Sequence, residues 1–284
     1  MLEVEKLIER ETDILCLTET QLKYDKYILS RGLTKVESFR EMNDRKGGGL
    51  LLMYNTNKVT VNKKDTRHPD IMVAEVIIRG FKLNILLVYM SVSDEQRNSI
   101  IKRNIEEELG RIENEEPLIL LGDMNGHVGF LGSQRLNKNG QIILDLLNRY
   151  DLTLLNDVIE CEGTYTWSVG NKKSVIDYCL INNKFSDKYV KMSIDENKIN
   201  FDLSDNNLIT TEFRVNAGKP KYNNTVNKVY IDINDNTKEK FLEELNKLDY
   251  ANIDKIESLE KNLTIARDNS MQKTIKVKVN KSEK

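Results

Sequence analysis

Asp123 and Asn125 stand two residues apart in the stretch Pro117-Leu118-Ile119-Leu120-Leu121-Gly122-Asp123-Met124-Asn125-Gly126-His127-Val128-Gly129. A carboxylate can activate water or bind a cation, and an amide can hold an anionic oxygen. Four aliphatic residues after a proline predict a strand buried on both faces and ended by Gly122. Strand geometry would then aim both polar side chains the same way. Gly126 and Gly129 let the backbone turn away from them. The pattern suits chemistry on a polar, anionic substrate. It equally suits a plain strand followed by an Asp/Asn turn.

Other polar residues take similar places. Glu19 follows the apolar run Ile14-Leu15-Cys16-Leu17, as a functional carboxylate or an exposed loop glutamate. Tyr89 closes a strand over 82–90, where packing is its simplest role. Asp177 lies inside Val175-Ile176-Asp177-Tyr178-Cys179-Leu180, and a buried carboxylate must be hydrogen-bonded or paired. Ser204-Asp205-Asn206-Asn207 leads into a strand over 208–213. Gly47-Gly48-Gly49 precedes a strand rather than a helix, so it reads as a flexible or closely packed strand entry and not as a phosphate loop.

These residues need a scaffold, and the chain is long enough to build one. It has 284 residues, a net charge of -2 and 39% hydrophobic residues, a globular composition without the excess of basic residues of a nucleic-acid coat protein. Strands are predicted near 14–17, 50–54, 59–61, 71–78, 82–90, 117–121, 152–155, 164–167, 175–181 and 208–213, with a hairpin at Arg79-Gly80. A helix is predicted from an Asp94 cap to about 114, with Ile100, Ile101, Ile105 and Leu109 on its apolar face. A second helix would bury Ile142, Ile143, Leu146 and Leu147. Residues 1–216 read as one domain, 217–236 as an Asn/Lys-rich linker, and 237–284 as a helical segment with a solvated basic tail. The three cysteines lack metal spacing and read as reduced thiols of an intracellular protein. The longest apolar run, 83–90, is too short to span a bilayer, and Met1-Leu-Glu-Val-Glu-Lys is neither a signal nor a transit peptide. No membrane and no organic cofactor are expected.

Thr18-Glu19-Thr20, Gly122-Asp123-Met124-Asn125, Ser174-Val175-Ile176-Asp177-Tyr178 and Ser204-Asp205-Asn206 follow one another in an order that resembles the endonuclease/exonuclease/phosphatase superfamily. Gly122 to Gly129, and Thr166-Trp167-Ser168 with the later Asp177-Tyr178, look like the apurinic-type endonuclease domain of non-LTR retrotransposons. The resemblance covers about residues 5–215. It implies a four-layer α/β/β/α sandwich with two mixed sheets face to face, here followed by a helical C-terminal extension. The site would lie where strand ends converge. It implies hydrolysis of a DNA phosphodiester with Mg²⁺, or Mn²⁺ in its place, in the cytoplasm or nucleus. By the same resemblance Glu19 and Asp205 would hold the metal. Asp123 would activate water, and Asn125 would bind the phosphate. Tyr89, Thr166 and Ser174 would steady the substrate, and Asp177 would orient the residue at 206.

Position 206 is Asn where the family has a catalytic His. An amide cannot exchange a proton near neutral pH, and losing a general acid-base group costs ~10²–10⁴ in rate. The family also begins with a strand carrying an Asn-x-Asn-like segment, and this sequence opens at the helix after it. The expectation is therefore an N-terminally truncated and impaired endonuclease. The alternative is a non-catalytic or nucleic-acid-binding domain of the same fold. A phosphoinositide or sphingomyelin phosphodiesterase fits less well, since such sites are histidine-rich and this chain has two histidines.

Overall fold

The computed structural model describes residues 12–21, 34–38, 48–112, 116–132, 135–200, 204–215, 225–231, 235–247, 266 and 272–278. The helix expected at the start of the sequence lies outside them. The chain divides into two compact units, 1–220 and 221–284.

In the first unit the strands are β1 (Ile14–Leu17), β2 (Thr34–Ser38), β3 (Leu50–Tyr54), β4 (Val59–Lys64), β5 (Ile71–Ile78), β6 (Phe81–Tyr89) and β7 (Leu118–Asp123). They continue with β8 (Leu152–Leu154), β9 (Cys161–Glu162), β10 (Trp167–Val169), β11 (Lys172–Ser174), β12 (Asp177–Asn182), β13 (Tyr189–Ile194) and β14 (Ile209–Phe213). The helices of this unit are α1 (Glu95–Arg111), α2 (Lys138–Tyr150) and the single turn α3 (Asn183–Ser186).

A six-stranded mixed sheet runs β4-β5-β6-β7-β12-β8, with β6 and β7 parallel and the other pairs antiparallel. Both of its faces are buried, and alternate residues divide between them. Val73, Leu86, Val88, Leu118, Leu120, Tyr178 and Leu180 pack against Ile101, Ile105, Ile143 and Leu146 of α1 and α2. Met72, Ala74, Ile85, Leu87, Tyr89, Ile119, Cys179 and Ile181 face a second β layer. That layer consists of two three-stranded sheets, β1-β3-β2 and β14-β13-β9. The architecture is therefore α+β, mixed sheets with few helices. Cys16, Cys161 and Cys179 belong to the inter-sheet core. Burial pushes the Cys16 and Cys179 thiols up to about 12, which makes them inert.

Several local expectations hold. The hairpin joins β5 to β6 through Arg79 and Gly80, both at positive φ. Asp94 caps α1 by accepting from Arg97 N at 3.0 Å. Others change. Ile100 is 41% exposed, and Asn98 takes the buried place on that face of α1. The strand expected over 164–167 starts only at Trp167, and the one expected over 175–181 starts at Asp177.

In the second unit β15 (Thr225–Ile231) pairs antiparallel with β16 (Gln272–Lys278), and α4 spans Asp235–Asn246. Residues read as linker and as solvated tail are thus paired strands. The alternation Lys273-Thr274-Ile275-Lys276-Val277-Lys278 has the period of a half-buried strand, and Val226 and Val229 lie opposite it. No helix among the described residues is long and apolar enough to cross a membrane.

Gly140 lies in the first turn of α2, where helix propensity alone favours alanine by about 1 kcal/mol. A Cβ there would stand 1.9 Å from the His127 carbonyl oxygen, and that oxygen is backbone. Gly140→Ala should destabilise the protein by about 1–3 kcal/mol net. Urea unfolding checks this, and a raised midpoint would mean that the loop can withdraw.

Candidate active site

Strand register builds the floor of the site. Asp123 lies opposite Tyr89 across the parallel pair β6–β7 and opposite Asp177 across the antiparallel pair β7–β12. The three form one rung at the end of the large sheet, on the face turned to the second β layer. Asp123 ends β7 one residue beyond the expected stop. Gly122 makes this possible, since its φ is 141° and a Cβ would meet the Val88 carbonyl oxygen at 1.9 Å. Asn125 does not continue the strand alternation. Its φ of 46° turns the chain, its N–H donates to Asp123 Oδ1 at 3.0 Å, and its Nδ2 donates to Met90 O at 2.9 Å. The two side chains converge through an Asx turn and not through strand periodicity.

The second layer supplies the facing wall. Glu19 follows β1 at a φ of 52°. Its loop is held by Thr20 N and Gln21 N, which donate to the carbonyls of Gly49 at 3.1 Å and Gly48 at 3.0 Å. Burial, then the neighbouring Glu19 carboxylate, pushes the Tyr89 hydroxyl well above its usual range. Asp205 and Asn206 precede β14. Asp205 Oδ2 accepts from the Trp167 indole N–H at 2.9 Å, and Asn206 Nδ2 donates to Asp177 Oδ1 at 2.9 Å.

Glu19, Asp123, Asn125, Ser174, Asp205 and Asn206 line one cleft of about 310 Å³, together with Val92, Trp167 and Ile176. Tyr89, Thr166 and Asp177 stand behind its wall. Thr166 is fully buried, and its hydroxyl oxygen accepts from Ile176 N at 2.9 Å and Asp177 N at 3.1 Å. His127 is turned away, its N–H and carbonyl both bonded to Asn137. The sequence reading missed Gly48 and Gly49 as the clamp on the Glu19 loop. Two successive glycines at positive φ beside a carboxylate loop would have been the signal. It also gave no role to Trp167, the only tryptophan of the chain.

The cleft concentrates negative charge. Among the described residues no cation is ion-paired with Glu19, Asp123, Asp177 or Asp205. Burial, then the Asp177 and Glu19 carboxylates, hold the Asp123 carboxyl well above its usual range. Burial pushes Asp177 up to about 7 against the hydrogen bonds from Thr166 and Asn206, and Glu19 and Asp205 add to the rise. Asp177 Oδ2 is buried without a partner. Such a site favours a cation. No three His, Cys, Asp or Glu among the described residues form a closed ligand set. Mg²⁺ does not need one, because it takes one or two carboxylates and keeps its waters.

Residues 83–205 match the family model described as endonuclease-reverse transcriptase. The chain is similar in structure to the endonuclease domain of TRAS1, a telomere-specific non-LTR retrotransposon. The TM-score is 0.60 at 18% identity, over 75% of this chain and 90% of that one. This is the endonuclease/exonuclease/phosphatase fold. The Neisseria 3' phosphatase NExo, solved with a product DNA hairpin, shares the fold with a TM-score of 0.59 at 20% identity, over 75% of this chain and 94% of its own. An AP endonuclease from Leishmania major shares it with a TM-score of 0.62 at 12% identity, over 75% and 82%. Among curated protein sequences none matches the chain. The fold that the resemblance implied is borne out.

The raised Asp177 value has a signed consequence. Its ordinary value is 3.8 and its folded value about 7. Between those limits the folded protein holds a proton that the unfolded chain has lost. Stability of the metal-free protein should therefore fall as pH rises from about 4 to about 7. Asp177→Asn should flatten that slope and raise the unfolding midpoint at pH 7.5. Thermal unfolding in chelator across this range checks it, and an unchanged slope would place the burden on another group.

Proposed function

We propose that this chain is a Mg²⁺-dependent DNA endonuclease of the retrotransposon type, impaired at the step that moves a proton. The convergence of Glu19, Asp123, Asn125, Asp205 and Asn206 on one cleft carries this reading. Support comes from the matching family segment, which spans Asp123 through Asp205. Glu19 and Asp205 would hold the metal from the second β layer, and the bound cation would supply charge to offset that developing on the phosphate. Asp123 takes the proton of the attacking water. The Asn125 amide holds a phosphate oxygen. Tyr89 orients Glu19, and Thr166 fixes the backbone of Asp177 behind the cleft wall. Ser174, at the mouth, touches the substrate strand. Mn²⁺ can substitute in the same oxygen ligand set.

The Asn206 amide already makes the bond to Asp177 that an imidazole N–H would make, but it cannot carry a proton on to the substrate. That bond also favours a second reading, a domain that keeps the cleft and binds nucleic acid without turnover. Nicking of supercoiled plasmid in Mg²⁺ separates the two. Asp123→Ala should abolish nicking, by ~10²-fold or more. Asn206→His should raise it, by as much as ~10²-fold, and Asp177→Ala should cancel the gain because the pair acts as a unit. A folded Asn206→His protein with no gain would reject the pair.

Trp167 reads metal binding without turnover. Its indole touches Asp205, so Mg²⁺ should change its fluorescence, and Asp205→Asn should weaken the titration at least ~10-fold. An unaltered titration curve in that variant would remove Asp205 from the metal site.

A further inference from the structure

Side chains that act together must be held to a fraction of an ångström, and the loops after β6 and β7 carry no regular structure to do this. Two buried amides join them. Asn98 on α1 is 2% exposed and Asn139 on α2 is 5% exposed. Asn139 Nδ2 donates to the carbonyls of Met124 at 3.0 Å, Ser91 at 3.1 Å and Asn125 at 3.3 Å. Its Oδ1 accepts from Asn98 Nδ2 at 2.9 Å. Asn98 also donates to Ser91 O at 2.7 Å and accepts from Ser91 N at 2.9 Å. Asn98 lies three residues before Ile101, on the apolar stripe of its helix, where packing alone would select an aliphatic residue. A buried amide there is stable only because its donors and acceptor are taken up.

We propose that Asn98 and Asn139 are a pair of positioning residues that lock the Asn125 loop to the loop after Tyr89. They stand outside the cleft and touch no substrate. Both act through backbone: Asn139 on the carbonyls that flank the Asn125 turn, and Asn98 on both polar groups of Ser91. The two helices are thereby tied to the site as well as to the core. The catalytic part of this proposal rests on the nuclease reading, and its structural part does not.

Asn139→Ser in the full chain tests it, because a hydroxyl is too short to reach both loops and Asn98. Amide hydrogen exchange should quicken at least ~10-fold at Ser91 and Asn125, with Leu120 and Leu180 of the same sheet unchanged. Under Mg²⁺, kcat for nicking should fall ~10-fold with KM within about twofold, and the loss should vanish in an Asn125→Ala background. Quickening spread evenly through β7 and α2, or none at either loop, would overturn the pair. So would a kcat loss that simply adds to that of Asn125→Ala. A wild-type chain that never nicks, combined with the localised exchange pattern, would reject the nuclease reading and uphold the pair. If Asn139→Ser does not fold, Asn98→Ser leaves the Met124 and Asn125 bonds in place. It should then quicken Ser91 alone, and unchanged exchange at Ser91 would overturn the proposal.

Discussion

The register of β6, β7 and β12 governs the site. It sets Tyr89, Asp123 and Asp177 on one rung, with two carboxylates side by side where little water reaches them. Two like charges so placed repel each other, and burial adds its own cost. Hydrogen bonds from Asn125 to Asp123 and from Asn206 to Asp177 offset part of this. The rest is stored as a tendency to hold a proton or attract a cation. A slip of one residue would turn both carboxylates toward α1 and α2, into an aliphatic core. Burial of both sheet faces forbids the slip, since the two sets of aliphatic residues would exchange places. The same packing that stabilises the sheet therefore maintains the strain at its edge.

A rung alone is only half a site. The other half comes from the second β layer, through loops whose anchors are mostly backbone. Gly48 and Gly49 hold the Glu19 loop by their carbonyls, and the indole of Trp167 holds Asp205. The cleft opens at the rim of the inter-sheet core, so its floor is rigid and its facing wall is made of turns.

Position 206 joins the two halves. Its amide bridges from the second layer to Asp177, as a protonated imidazole would. Geometry and chemistry part at this residue. An amide makes this hydrogen bond and cannot exchange a proton near neutral pH.

Much of this was legible in the sequence because it depends on local pattern. Runs of aliphatic residues marked β5, β6 and β7, Asp94 marked a helix start, and Arg79-Gly80 marked a tight turn. Four acidic motifs in order marked the fold family. Period and spacing are properties of the chain itself, and they set which residues end strands. Pairing partners are not such properties. That Asp123 lies between Tyr89 and Asp177 follows from strand order, which only the folded sheet decides. Thr166 looked like a substrate contact and is fully buried, its hydroxyl oxygen taken up by the backbone N–H groups of Ile176 and Asp177. Residues 272–278 looked like a solvated tail and form a strand, because 225–231 lie beside them. Asn98 is singled out by no local pattern in the sequence. Only the approach of α1, α2 and two loops, which are distant in sequence and adjacent in space, gives its amide partners enough to make burial favourable.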